Sequence, residues 1–156
     1  MTVTYQQQIS TPIGYVRVSA NHDGITHIGF YDQSLHNDSG QIHSNHLCEL
    51  ACAQLAEYFA GSRKRFDLPL APRGTDFQKN VWQHLCKVEY GNTASYLDIA
   101  TAIGNVKACR AVGAANGKNP IAIVVPCHRI IGATGKLTGY AGGLSRKSFL
   151  LQLEQA

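Results

Sequence analysis

The stretch Ile121-Ala122-Ile123-Val124-Val125-Pro126-Cys127-His128-Arg129 decides how the second half of the chain is read. Its dense β-branched residues predict a buried strand, and Pro126 marks where the ladder stops. Cys127 then stands at a rigid strand end. His128 can accept a proton near neutral pH, and the charge of Arg129 favours thiolate over thiol. Together they predict a cysteine nucleophile. The competing reading is a small buried hydrophobe beside a surface histidine, and the flanking sequence has to decide between them. Adjacent strand residues face opposite ways, so a bridging water is the expected relay between Cys127 and His128 unless the backbone turns sharply at Pro126. A histidine base also needs an orienting carboxylate. The only acidic residue after Asp98 is Glu154, though distance in sequence says nothing about proximity.

Upstream, Ser95-Tyr96-Leu97-Asp98 has the form of a capping box, so a helix should begin at Tyr96, with Ile99, Ala100 and Ile103 inward and Gly104 at its end. A second, basic helix is predicted from Val106 to Asn116, which makes a helix-turn-helix. Its short side chains around Arg110 would let the backbone approach a groove while one long cation projects; close helix packing explains some of the same alanines. Gly117-Lys118-Asn119-Pro120 then breaks the helix. Downstream, Ile130-Ile131-Gly132 and Leu137-Thr138-Gly139-Tyr140 flank Ala133-Thr134-Gly135-Lys136, which predicts a hairpin or wing. Ser145 is placed to cap a last helix burying Phe149, Leu150 and Leu153. Ahead of all this, Phe77, Val81, Trp82, Leu85 and Val88 form a helical face ended by Gly91.

The N-terminal part reads differently. Alternation from Ile9 to Tyr31 around Asn21-His22-Asp23-Gly24 predicts an antiparallel hairpin, with Val3 to Gln8 as a third strand. Asp32 to Asn45 is polar and predicts a loop. Leu47, Cys48, Ala51, Cys52, Leu55, Tyr58 and Phe59 recur at helical spacing before Gly61. His43, His46, Cys48 and Cys52 crowd into ten residues, yet the spacing fits no finger pattern and both cysteines lie on the apolar stripe. No metal is expected there. Arg63 to Arg73, with Pro69 and Pro72, reads as the connection. The expected class is α+β in two domains, 1–70 and 71–156: a small antiparallel sheet with a covering helix, then a helical domain with a winged helix-turn-helix.

Charge divides the same way. Residues 1–60 hold one basic and five acidic side chains, and residues 61–156 hold thirteen basic against five acidic, so −4 and +8 make up the net +4. A positive field around the candidate nucleophile attracts polyanions, nucleic acid first among them. Five cysteines, an odd number in a chain long enough for a normal core, point to reduced thiols rather than a disulfide framework. No apolar run approaches the roughly 18 residues of a membrane span. The expectation is a soluble, unexported protein of the cytoplasm, or of the nucleus in a eukaryotic host, with no membrane partner and no cofactor.

Pro126-Cys127-His128-Arg129, with Asn119-Pro120 upstream, Arg110-Ala111-Val112-Gly113 on the second helix and Tyr140-Ala141-Gly142-Gly143 downstream, resembles the O6-alkylguanine-DNA alkyltransferases, also called methylated-DNA--protein-cysteine methyltransferases. The similarity runs from Phe77 to Glu154, and residues 1–70 resemble the family's less distinctive, ribonuclease H-like N-terminal domain. It implies stoichiometric, irreversible transfer of an alkyl group from O6-alkylguanine, and from O4-alkylthymine, in duplex DNA to Cys127. It further implies that His128, through a water, deprotonates the thiol and that Glu154 orients the histidine. Asn119 would organise the active-site turn, and Tyr96 would crowd the 3′ phosphate and donate to the guanine nitrogen N3. Arg110 would take the place of the extruded nucleotide. Ser95, Tyr96, Asn105, Lys107, Ala111 and Gly113 join Arg110 as expected contacts to the minor groove, and Tyr140, Ala141, Gly142 and Ile130 would wall the alkyl pocket. A monomer is expected, with cooperative assembly along DNA as an open alternative.

Three other readings compete. A cysteine hydrolase would turn over repeatedly, a helix-turn-helix regulator would work without Cys127, and a non-catalytic lesion binder of the alkyltransferase-like type would lack that cysteine altogether.

Overall fold

In the computed structural model, which describes residues 4–35 and 42–156, the chain falls into two units, one ending at Pro72 and the other spanning Arg73–Ala156. The first unit has three antiparallel strands in the order β1 (Tyr5–Thr11), β2 (Gly14–Ala20) and β3 (Ile25–Tyr31), and a helix α1 (His46–Phe59). Val3, placed in the first strand by the sequence, and residues 36–41 of the expected loop lie outside the described residues. Alternation works as expected along β2, where Val16, Val18 and Ala20 are fully buried. On β3 the buried residues are Ile25 and Ile28, three apart rather than two. An irregularity reconciles them: Ser19 pairs with His27 and Ala20 with Ile25, so Thr26 is an extra residue that returns Ile25 to the buried face.

Asn21 N donates to Gly24 O at 3.0 Å to close the β2–β3 turn, and the Asn21 side-chain oxygen reinforces it, accepting from the backbone N–H groups of Asp23 (2.8 Å) and Gly24 (3.1 Å). The far end of the connecting segment lies along β3, with Ile25 N donating to Pro69 O and Ala71 N to Ile25 O, both at 2.8 Å. A Cβ on Gly24 would stand 2.7 Å from Pro69 O, so only glycine admits that approach. On α1 the stripe of Cys48, Ala51, Cys52, Leu55 and Tyr58 is buried, and Asn45 caps the helix through Cys48 N. Burial raises both thiols, Cys52 to about 12, which is how small hydrophobes behave. Among the described residues no three His, Cys, Asp or Glu side chains are grouped to hold a metal ion.

The second unit runs α2 (Asp76–Leu85), β4 (Ala94–Ser95), α3 (Tyr96–Ala102), α4 (Cys109–Gly117), a single 3-10 turn (Cys127–Arg129), β5 (Ile130–Ile131) and α5 (Leu144–Leu153). Capping boxes start two helices: Thr75 with Gln78 on α2 and, as the sequence predicts, Ser95 with Asp98 on α3. Gly104 (φ +82°) ends α3, with Gly104 N reaching Thr101 O and Asn105 N reaching Ala100 O. The next helix begins at Cys109 rather than Val106: residues 105–108 close a turn instead, with Ala108 N donating to Asn105 O at 3.0 Å. Trp82 is core, its indole N–H donating to Ala115 O at 2.9 Å and so tying α2 to α4.

Three further expectations are corrected. Residues 121–125 are not a strand: they fold into a tight turn in which Val124 N reaches Ala122 O (2.8 Å) and Val125 N reaches Ile121 O (3.0 Å). Ile121, Ile123 and Val125 are buried, but in a turn, and an apolar run does not by itself distinguish the two. Ile130 and Ile131 pair in parallel with Ala94 and Ser95, while Leu137–Tyr140 forms no strand; Gly132 N to Lys136 O (2.8 Å) and Gly135 N to Gly132 O (2.9 Å) close the intervening loop. Pairing with β4 buries Ile130 completely, which a partner arm centred on Gly139 offers little surface to do. Finally, α5 is preceded by Gly143 (φ +93°), not capped by Ser145.

Thr75→Ala should lower the stability of the second unit by about 1 kcal/mol, the usual cost of a lost N-cap. Urea unfolding of the full chain checks it, with reaction at Cys127 expected to be unchanged.

Candidate active site

Asn119 builds the turn that carries the nucleophile. Its Nδ2 donates to Val125 O (2.8 Å), Ile121 O (3.3 Å) and Cys127 Sγ (3.1 Å), while its Oδ1 accepts from Ile121 N (3.0 Å). One amide thus braces both sides of the turn and holds the sulfur. Inside it, Ile123 has φ +71° and is the centre of the Ala122–Val124 hydrogen bond, a γ-turn in a region β-branched residues avoid. Such strain costs about 1–3 kcal/mol. Burying the Ile123 side chain, 1% exposed, returns about 1.5–3 kcal/mol, so the two nearly cancel and the Asn119 bonds decide. Pro126 (φ −82°, ψ 62°) is the centre of an inverse γ-turn closed by Cys127 N to Val125 O at 2.8 Å. That is the sharp turn at Pro126 that an extended strand would have lacked.

The 3-10 turn then buries three chemical side chains in a row. Cys127 is 6% exposed, His128 0% and Arg129 6%. His128 Nε2 meets Glu154 Oε2 at 2.7 Å, and Arg129 binds the same carboxylate through Nε to Oε1 (2.8 Å) and Nη2 to Oε2 (3.0 Å). Nη1 of Arg129 donates to Val88 O at 2.7 Å. Burial lowers the His128 pKa, against the raising effect of Glu154, so the imidazole is neutral. Nε2–H then donates to the carboxylate and Nδ1 is the basic nitrogen; it is buried and has no protein partner among the described residues.

Burial also raises the Cys127 pKa, although the Asn119 hydrogen bond and the charge of Lys147 pull it down. The resting pair is therefore thiol and neutral imidazole. Arg129 does not supply the expected activation, because its charge is spent on Glu154. The cation that acts on the sulfur is Lys147, which the sequence reading missed. It is fully buried, with Nζ donating to Ile130 O (2.5 Å), Thr138 O (3.1 Å) and Thr138 Oγ1 (3.4 Å). A signal for it existed: Lys147, Leu150 and Glu154 fall at i, i+3 and i+7 along α5 and its C-cap, on the inward stripe.

Burial raises the Tyr140 pKa, and negative charge on the Cys127 sulfur would raise it further. Ile130 is fully buried, Gly142 half-buried and Ala141 exposed. Tyr96 reaches Thr138 Oγ1 at 2.7 Å, and Gly113 lies under its ring, where a Cβ would stand 3.7 Å from Cδ1 and Cε1. Arg110 is exposed on α4 with no side-chain partner among the described residues; Asn105, Lys107 and Ala111 are exposed nearby in sequence. Ser95 is occupied as the α3 cap, its hydroxyl accepting from Asp98 N at 3.0 Å.

Residues 76–156 match the family model described as 6-O-methylguanine DNA methyltransferase, DNA binding domain, and residues 4–72 match the one described as its ribonuclease-like domain. The chain is 48% identical over 153 residues to a methylated-DNA--protein-cysteine methyltransferase of Methanosarcina barkeri, covering 97% of both. A constitutive methyltransferase of the same name from Bacillus subtilis is 45% identical over 161 residues, with 98% of this chain and 96% of the relative covered. Among solved structures, O6-methylguanine methyltransferase of Mycobacterium tuberculosis matches with a TM-score of 0.86 at 45% identity, over 98% of this chain and 93% of that one. OGT of the same organism in complex with DNA matches at 0.85 and 47%, over 97% and 92%.

The lowered His128 pKa has a consequence for stability. The unfolded chain takes up this proton first, near pH 6.5, so the contribution of His128 is fully present above that pH and declines as pH falls below it. Between about pH 6.5 and 5, urea stability should fall more steeply than in His128→Gln, by at most about 1.4 kcal/mol per pH unit.

Proposed function

The chain belongs to the 6-O-methylguanine DNA methyltransferase family, and on that premise we propose that Cys127 is the sulfur that receives the alkyl group from O6-alkylguanine in duplex DNA. The activity of the family is DNA repair by transfer from methylated DNA to a cysteine of the protein itself, and the partner is DNA. The observation that carries the residue assignment is a buried thiol held at 3.1 Å by Asn119, next in sequence to a neutral histidine whose Nε2 is bound to Glu154.

The roles follow from charge and geometry. A thiol with a raised pKa needs a base at the moment of reaction, and His128 Nδ1, reached through one water, takes its proton. Glu154 holds the imidazole in that tautomer and stabilises the imidazolium, while Arg129 holds the carboxylate in place. Lys147 and the Asn119 amide stabilise the thiolate. Sulfur then bonds to the alkyl carbon as the carbon–O6 bond breaks, its electron pair going to guanine; the proton lost by the thiol equals the one that the departing base requires. Tyr96 donates to guanine N3 as that charge gathers. The same displacement suits an alkyl carbon on O4 of thymine. The product is a thioether with no carbonyl for water to attack, so each molecule acts once.

The alkyl group is hidden inside the duplex, so the nucleotide has to be extruded at a cost of a few kcal/mol. Arg110, a long cation among short side chains on α4, would enter from the minor groove and fill the gap. Tyr140, with the backbone of Ala141 and Gly142, would wall the pocket, and Ile130 would support it from behind. The five free cysteines suit a compartment that keeps thiols reduced.

Incubation with duplex DNA carrying O6-methylguanine should add one methyl, mapped to Cys127, at no more than one equivalent; intact mass reads it, and Cys127→Ala should add none. Repeated turnover would reject the suicide mechanism. Arg110→Ala should slow transfer from duplex DNA by about ten- to a hundredfold, or about 1.4–2.8 kcal/mol, while sparing reaction with the free base. Equal losses on both substrates would remove Arg110 from base extrusion.

A further inference from the structure

Lys147 is a fully buried ammonium with no carboxylate partner among the described residues, and its three hydrogen bonds go to Ile130 O, Thr138 O and Thr138 Oγ1. Thr138 in turn touches Tyr96, hydroxyl to hydroxyl, at 2.7 Å. A lysine ammonium can only donate, so Thr138 Oγ1 is an acceptor toward Lys147. That polarises the threonine O–H and leaves its proton for the Tyr96 oxygen. With its lone pair so engaged, Tyr96 keeps its own proton for another acceptor.

We propose that Thr138 is a positioning residue for alkyl transfer: by linking the Lys147 ammonium to the Tyr96 hydroxyl, it aims the tyrosine proton at the leaving guanine and stabilises the phenol oxygen as that hydrogen bond strengthens. This rests on the reading of Tyr96 as the group facing the guanine. Thr138 touches no reacting atom and acts through Tyr96.

Thr138→Val keeps the β-branch and puts a methyl in place of the hydroxyl, so it removes both contacts of Oγ1, to Tyr96 and to Lys147. Lys147 retains the carbonyls of Ile130 and Thr138. Single-turnover transfer from O6-methylguanine duplex at saturating protein is measured for the full chain, Thr138→Val, Thr138→Ser, Tyr96→Phe and the Thr138→Val/Tyr96→Phe double variant. Thr138→Ala replaces valine should the latter fail to fold by urea unfolding.

Thr138→Val should slow transfer by about five- to tenfold with DNA affinity unchanged, and Thr138→Ser should restore it to within about twofold. In the Tyr96→Phe background Thr138→Val should add nothing further, the mark of coupling through that one hydroxyl. A full-rate Thr138→Val beside a slow Tyr96→Phe overturns the inference and leaves the role of Tyr96 standing. Equal losses in both backgrounds overturn it in favour of a loop contact. A full-rate Tyr96→Phe overturns both.

Discussion

The reactive centre depends on four hydrogen bonds made by one amide side chain. Asn119 holds Ile121 from both its N–H and its carbonyl, Val125 by its carbonyl and Cys127 by its sulfur, and so closes a loop that the apolar sequence alone would leave free to extend. Burial of Ile123 roughly offsets the strain of its positive φ, and neither would select this conformation over a strand. The amide does, because opening the turn would leave buried carbonyls and an N–H unpaired. Position of the thiol and shape of the turn are one constraint.

Electrostatics in the second unit are arranged so that no buried charge stands next to the wrong group. Arg129 and Glu154 satisfy each other with two charge-assisted bonds, and His128, which meets the same carboxylate, is left neutral. Among the described residues Lys147 has only neutral acceptors, so its charge is directed at Cys127 and, through Thr138, at Tyr96. A thiol kept protonated at rest is spared from reaction with passing electrophiles, and ionises only with a base in place.

The surface proposed to read DNA follows a different logic. Its elements are short helices whose ends are set by local signals: the Ser95–Asp98 box, then Gly104 in the left-handed region. Gly113 brings α4 against the Tyr96 ring, which connects the helix bearing Arg110 to the phenol without a covalent neighbour. Arg110 is free to reach outward because nothing inside the unit engages it among the described residues.

The sequence by itself determined what local chemistry and periodicity can carry: the α+β class, the capping box at Ser95, the glycine stops at Gly61 and Gly104, and the buried stripe of α1; it also marked Cys127 and His128 as the pair to which the proposed chemistry is assigned. Resemblance to a family with several ordered motifs supplied the substrate. The tertiary structure decided the rest. An apolar run such as Ile121–Val125 reports burial but not conformation, since a strand and a turn bury the same side chains and only the distant Asn119 bonds separate them. Whether Arg129 or Lys147 acts on the sulfur is equally invisible in the chain. Charge acts across space, and Glu154, 25 residues from Arg129, claims the nearer cation.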